Sequence, residues 1–224
     1  MGNSNVDQHG VGGLLWWGSP SQARETSYPV SVVVESQLDG RNRLTTAFRP
    51  ILAIPHSILA GPVYWSSRSV GFGLIGAAAY VLAVVSWVSL LITGAQPRSI
   101  REFTLYYLRW RTRSLAYMAL LRDEYPPFGD GEYSARVAVE EPGAVRPLGM
   151  VAFRPLLVIP HLIVVALLAI GWFVTTVIAW LAILLTGSYP SRLYAFGVSV
   201  MRWALRVEAY MLFLVDAYPP FRFE

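Results

Sequence analysis

The sequence predicts an all-α integral membrane protein made of two tandem repeats. Each repeat is read as a short β-strand, a transmembrane helical hairpin and an interfacial amphipathic helix. Three observations carry this reading. Of 224 residues, 54% are hydrophobic and only 14% charged, whereas a soluble domain carries about 25% charged residues. The apolar residues are gathered into long blocks, so a bilayer is the expected solvent for much of the chain. The chain also repeats itself at two fixed offsets, the signature of duplicated architecture.

The repeats are read first. Tyr28 to His56 aligns with Tyr133 to His161 at an offset of 105. Phe48-Arg49-Pro50 matches Phe153-Arg154-Pro155, and Ile54-Pro55-His56 matches Ile159-Pro160-His161. Val85 to Phe128 aligns with Ile178 to Phe221 at an offset of 93. Here Arg109-Trp110 matches Arg202-Trp203, Arg113 matches Arg206, and Tyr125-Pro126-Pro127-Phe128 recurs as Tyr218-Pro219-Pro220-Phe221. The organisation that follows is a tail over 1–27, repeat one over 28–128, a linker over 129–132 and repeat two over 133–224.

Each repeat opens on an alternating segment, Tyr28 to Glu35 or Tyr133 to Glu140. Val30, Val32 and Val34 share one side at period two, which predicts a strand. The two strands are expected to pair as a small cytoplasmic cap.

The apolar blocks come next, about 44–93 and 149–186. Repeat one carries twelve extra residues, the difference between the two offsets, around Gly61 to Gly71. A hairpin loop absorbs such an insertion, whereas a continuous spanning helix does not. Two crossings per repeat are therefore expected, about 44–63 with 73–93 and 149–168 with 171–187. Gly171 must then turn the second pair almost without a loop. One long helix followed by a crossing of the next segment satisfies the same arginine symmetry and stays open.

The closing segments, Arg98 to Arg122 and Ser191 to Val215, mix arginine with aromatic residues. Arg98, Arg101, Glu102, Arg109 and Arg113 fall on one helical stripe, as do Arg192, Ser199, Arg202 and Arg206. That pattern predicts helices lying in the headgroup plane. Sinking bare arginines to the bilayer centre costs about 2.5–3.5 kcal/mol each. The double proline of Tyr-Pro-Pro-Phe then stops each helix.

Composition narrows the chemistry. There is no cysteine, which excludes disulfides and thiolate sites. All 18 basic residues are arginine, which excludes Schiff-base and P-loop lysines. The net charge of +4 sits beside apolar blocks, so anionic lipid rather than nucleic acid is the expected partner. Residues 1–13 lack a basic start and Leu14-Leu15-Trp16-Trp17 is too short for a leader core, so no cleavable signal is expected. No catalytic motif is found; Gly71-Phe72-Gly73-Leu74-Ile75-Gly76 lacks the strand that a dinucleotide site requires. No enzymatic activity, cofactor or metal is expected.

Several residues remain as site candidates. Arg49 and Arg154 stand before prolines at the mouths of the apolar blocks, where a guanidinium could fork onto a lipid phosphate or snorkel as an anchor. Arg109, Arg113, Arg202 and Arg206 are read as headgroup contacts at i, i+4 spacing. His56 and His161 hold equivalent positions, as a haem or pigment ligand pair would; each as a helix-end cap is the plainer reading. Glu208 faces the apolar side of its helix and is expected to pair with an arginine of a neighbouring element. Asp123 and Asp216 recur before Tyr-Pro-Pro-Phe and are expected to make end-of-helix hydrogen bonds.

Tyr28-Pro29-Val30, both Ile-Pro-His triplets, Leu184-Leu185-Thr186-Gly187, the Arg-Trp pairs and both Tyr-Pro-Pro-Phe runs together resemble a bacterial membrane-protein family, domain of unknown function 4389, in two copies over about 28–224. The resemblance implies a multi-pass protein of the bacterial cytoplasmic membrane and brings no catalytic residues. The leading functional expectation is a non-catalytic accessory or scaffolding subunit of a membrane complex, with membrane lipids and other integral membrane proteins as partners. The alternatives are a lipid-binding or lipid-transport protein that recognises phosphate-bearing headgroups, and a haem- or pigment-binding subunit.

Overall fold

A computed structural model describes residues 28–60, 64–66, 69–71, 73–142, 146 and 148–223. The tail over 1–27 lies outside the described residues. In chain order the elements are β1 (Val30–Val34), α1 (Arg43–Leu52), α2 (Ile54–Ala60), β2 (Tyr64–Ser66), β3 (Ser69–Gly71), α3 (Leu74–Thr93), α4 (Arg98–Met118), β4 (Ala135–Val139), α5 (Leu148–Leu157), α6 (Ile159–Thr186) and α7 (Ser191–Met211).

The predicted strands form and pair. β1 runs antiparallel to β4, with Val30 opposite Val139 and Val34 opposite Ala135. Val30 and Val32 are buried while Ser31 and Val33 are exposed, the alternation that the sequence shows. β2 and β3 form a second antiparallel pair, Tyr64 opposite Gly71, at the predicted insertion.

Proline shapes the helices. Pro50 and Pro155 sit inside α1 and α5, and Pro55 and Pro160 open α2 and α6. Each removes a helical donor, and the chain breaks between them at Ala53 and Val158. Asn42 caps α1, its side chain accepting from the Thr45 N–H at 3.1 Å. Gly94 and Gly187 end α3 and α6 in the left-handed region, at φ 71° and 77°, a conformation that glycine adopts without a Cβ clash.

Two expectations are corrected here. The helical hairpin of repeat two does not exist: α6 runs unbroken through Gly171 over 28 residues. A turn there would leave helix-end donors and acceptors in an apolar stretch with no loop residues to satisfy them. The continuous helix keeps every bond internal, and a Cβ on Gly171 would make only ordinary contact with Phe196 at 3.6 Å. Among the described residues, two helical stretches are long and apolar enough to cross a membrane, Leu74–Thr93 and Leu148–Thr186. α1, with Arg43, Thr45, Thr46 and Arg49, is not among them.

The second correction concerns α4 and α7. They are not helices lying at a surface. Every residue from Trp110 to Tyr117 is buried, and so is every residue from Leu205 to Tyr210. The two helices pack on each other, α4 also on α3 and β4, and α7 also on α6 and β1. Arg101, Arg111, Arg113, Arg202 and Arg206 find partners in other parts of the chain, which removes much of the cost that argued for an interfacial position.

Two further contacts run crosswise between the repeats. α1 packs on α6, and α3 packs on α5. Apolar side chains cover much of the outside of α3 and α6; Val81, Ile92, Leu167, Ile170, Phe173 and Leu185 are each 65% exposed or more.

Candidate functional site

The Phe-Arg-Pro triplets build the first part of the site. Arg49 and Arg154 are each only 2% exposed. Arg49 Nη1 donates to the carbonyls of Tyr117 (3.2 Å) and Arg122 (2.6 Å), and Nη2 to Asp123 Oδ1 (2.7 Å). Arg154 Nη1 donates to the carbonyls of Tyr210 (3.3 Å) and Val215 (3.0 Å), and Nη2 to Asp216 Oδ1 (2.9 Å). Each guanidinium also lies 4.4 Å over a ring, Tyr117 or Tyr210. The two arginines therefore cap the C-termini of α4 and α7, where orphan carbonyls and the helix dipole favour a cation.

These termini need the help. Leu120 and Phe213 take φ values of 63° and 59°, a strained choice for residues with a Cβ. Arg41 donates to the Leu120 carbonyl and pairs with Asp123 at 2.9 Å. Arg146 donates to the Phe213 carbonyl at 3.3 Å and pairs with Asp216 at 3.3 Å. Each aspartate thus sits between two arginines, a tighter use than the expected helix-end hydrogen bonds. Arg41 and Arg146 were not singled out from sequence, although they match at the 105 offset.

The other arginine candidates divide. Arg109 is exposed. Arg113 is buried and donates to the linker carbonyls of Gly131 (2.7 Å) and Gly129. Arg202 Nε donates to the Val32 carbonyl at 3.1 Å, and Arg206 is buried with its guanidinium 5.7 Å from the Tyr28 ring. Arg113 holds the linker to α4, and Arg202 and Arg206 hold β1 and the preceding Tyr28 to α7.

His56 and His161 sit in matching aromatic boxes, both fully buried. Trp110 Nε1 donates to His56 Nδ1 at 3.0 Å, and Trp203 Nε1 to His161 Nδ1 at 3.2 Å. The first imidazole stacks on Phe128 at 4.6 Å and the second on Phe221 at 3.8 Å. An accepting Nδ1 leaves the proton on Nε2, which is buried against the backbone at Pro126 and Pro219. A metal would have to displace an indole or open this box. Among the described residues, no group of three or more His, Cys, Asp or Glu could hold a metal ion.

Glu208 pairs across the helices as expected. Arg111 Nε donates to its Oε2, while the hydroxyls of Tyr107 and Tyr80 donate to its Oε1 at 2.8 and 3.0 Å. At the 93 offset, Leu115 and Ala204 replace Glu208 and Arg111, so this cluster exists in one half only. Tyr80, Tyr107 and Arg111 carried no repeat signal that would have marked them.

Beside the cluster lies a groove of about 310 Å³. Its walls include Tyr80, Ala83 and Trp87 of α3, the bend at Pro155 and Val158, and Phe213 beyond α7. Ala83 leaves room, the proline bend splays α5 from α6, and Trp87 ties α3 to α5 through the Val151 carbonyl at 3.0 Å. The lining residues are apolar except for Tyr80 and Arg154.

No curated protein and no solved structure matches this chain. A family model described as domain of unknown function 4389 matches residues 68–129 and 150–222. One matched segment falls in each of the halves that the offsets define, and residues 28–67, with Tyr28-Pro29-Val30 and Ile54-Pro55-His56, lie outside the match; the chain belongs to the family of domain of unknown function 4389, of which it carries two tandem copies.

Proposed function

We propose that the protein is an integral membrane protein that works without catalysis, as an accessory or scaffolding subunit of a bacterial membrane assembly. The carrying observation is the uncovered apolar surface of the two long helices. Only 28% of the apolar window of Leu74–Thr93 is buried, and 6% of that of Leu148–Thr186. A core helix of a soluble protein would be mostly covered, and a contiguous apolar surface of this extent marks a membrane or partner interface. α6 alone, at 28 residues, is about 42 Å long at about 1.5 Å per residue, more than a hydrocarbon core of about 30 Å.

The polar candidates support the non-catalytic part. Arg49, Arg154, Arg113, His56 and His161 bond to carbonyls, carboxylates or indoles within the chain. These bonds tie helices together, and their loss would loosen the fold. Alkaline carbonate treatment of membranes tests the first element: the protein stays in the pellet. Native mass spectrometry after gentle extraction tests the second: it finds the protein in a stoichiometric complex with another membrane protein. A lone monomer in every extract would refute the scaffolding role. The groove favours lipid binding as a second reading.

A further inference from the structure

We infer that the groove between α3 and the α5–α6 bend holds one acyl chain of an anionic membrane lipid, with the lipid's charged group at the Arg154 end. The inference rests on the membrane reading above and deepens its lipid-binding alternative. Val84 and Leu162 line the groove and are 59% and 41% exposed, so it opens onto the apolar outside of α3 and α6. An occupant therefore enters from an apolar phase. At about 310 Å³ the space lies at the small end of ligand sites and admits one chain rather than a whole lipid.

The charge at one end selects the headgroup. Arg154 forms part of the wall. Arg146 donates to the carbonyl of Phe213, another lining residue, at 3.3 Å, and Arg101 to that of Leu214 at 2.9 Å. Asp216 neutralises one of these three cations and Glu141 acts on Arg101. Three arginines against two carboxylates leave a positive surplus beside an apolar slot, the complement of a phosphate or carboxylate on a hydrocarbon chain.

The test uses the full chain in nanodiscs of phosphatidylglycerol and phosphatidylcholine in roughly equal amounts, released into mild detergent for native mass spectrometry. Wild type retains one phosphatidylglycerol. Val84→Trp and Leu162→Trp fill the groove from its rim and lower that retention about tenfold or more, with unchanged thermal melting. Ile170→Trp, on an equally apolar part of α6 that does not line the groove, retains the lipid. Equal retention in all four proteins, or no preference for phosphatidylglycerol, overturns the inference. Carbonate extraction separates the two layers of the argument. Wild type held in the membrane pellet without bound lipid sinks the groove alone, whereas wild type released to the supernatant sinks the membrane reading and the groove with it.

Discussion

The indole N–H of Trp180 donates to the carbonyl of Thr46 at 2.9 Å. Thr46 lies four residues before Pro50, so its carbonyl has lost its helical donor. Trp87 does the same for Val151, four residues before Pro155, at 3.0 Å. Each half of the chain thus supplies the hydrogen bond that proline removes from the other. Tyr28 and Tyr133 act in a similar pair, their hydroxyls donating to the carbonyls of Ala217 (3.0 Å) and Glu124 (2.7 Å).

Replacing either tryptophan by phenylalanine leaves a carbonyl orphaned. Trp180→Phe and Trp87→Phe are each expected to lower stability by about 1–3 kcal/mol. The double variant loses the sum, because the two sites share no partner. Thermal unfolding in detergent measures this, and unchanged midpoints would show that the bonds contribute nothing.

Arg49 and Arg154 separate a structural from a lipid-clamping role. As helix caps, Arg49→Ala and Arg154→Ala each leave an aspartate with one arginine instead of two and strand buried helix-end carbonyls, a loss of about 1–3 kcal/mol. Lysine cannot reproduce the fork, so Arg49→Lys is expected to destabilise as well, by less. Limited proteolysis of the variants reads the effect. Variants that resist protease as wild type does would show that these caps contribute nothing to the fold.

The Arg111–Glu208 pair is expected to be replaceable but not breakable. Glu208→Leu alone leaves a buried guanidinium unpaired and costs about 3–5 kcal/mol. Combining it with Arg111→Met, Tyr80→Phe and Tyr107→Phe is expected to recover most of that loss. The other half of the chain already holds Leu115 and Ala204 at the equivalent positions. Chemical denaturation of the single and combined variants decides; failure of the combination to recover would mean that the polar cluster itself specifies the packing.

Alkaline pH is expected to weaken the fold. Burial pushes the phenols of Tyr28, Tyr133 and Tyr189 above their ordinary value of 10.0, Tyr189 to about 12. A folded-state value above the unfolded one means that the folded protein holds its proton longer. The stabilisation is complete below pH 10 and is lost as pH rises through the folded values. Melting temperatures between pH 8 and 12 should fall above pH 10, and the triple Tyr→Phe variant should show a flatter decline.

Much of this architecture is legible in the residues. The two offsets mark the duplicated halves, valine alternation marks β1, and the lone carboxylate of Glu208 announces a partner before any partner is known. The same offsets also align Arg41 with Arg146 and Trp87 with Trp180, so their shared roles were signalled though their partners were not. Block length alone does not tell two short helices from one long one, so the hairpin expected at Gly171 is absent from the structure. A periodic pattern reports which residues share a face, not what covers it, so the arginine stripes of α4 and α7 do not reveal their burial.

Local order is written in the residues: where strands alternate, where glycine and double proline end helices, and that the chain is two copies of one design; the breaks at Ala53 and Val158 fall inside segments read as continuous crossings. These follow from proline, glycine and side-chain period, which act over a few residues. Which half completes which emerges on packing, since an indole reaching a carbonyl 134 residues away leaves no local trace. Packing also decides that α4 and α7 lie at the centre. Buried guanidinium groups are tolerable only where carboxylates and helix ends converge on them, and that convergence exists only once the two halves have packed together.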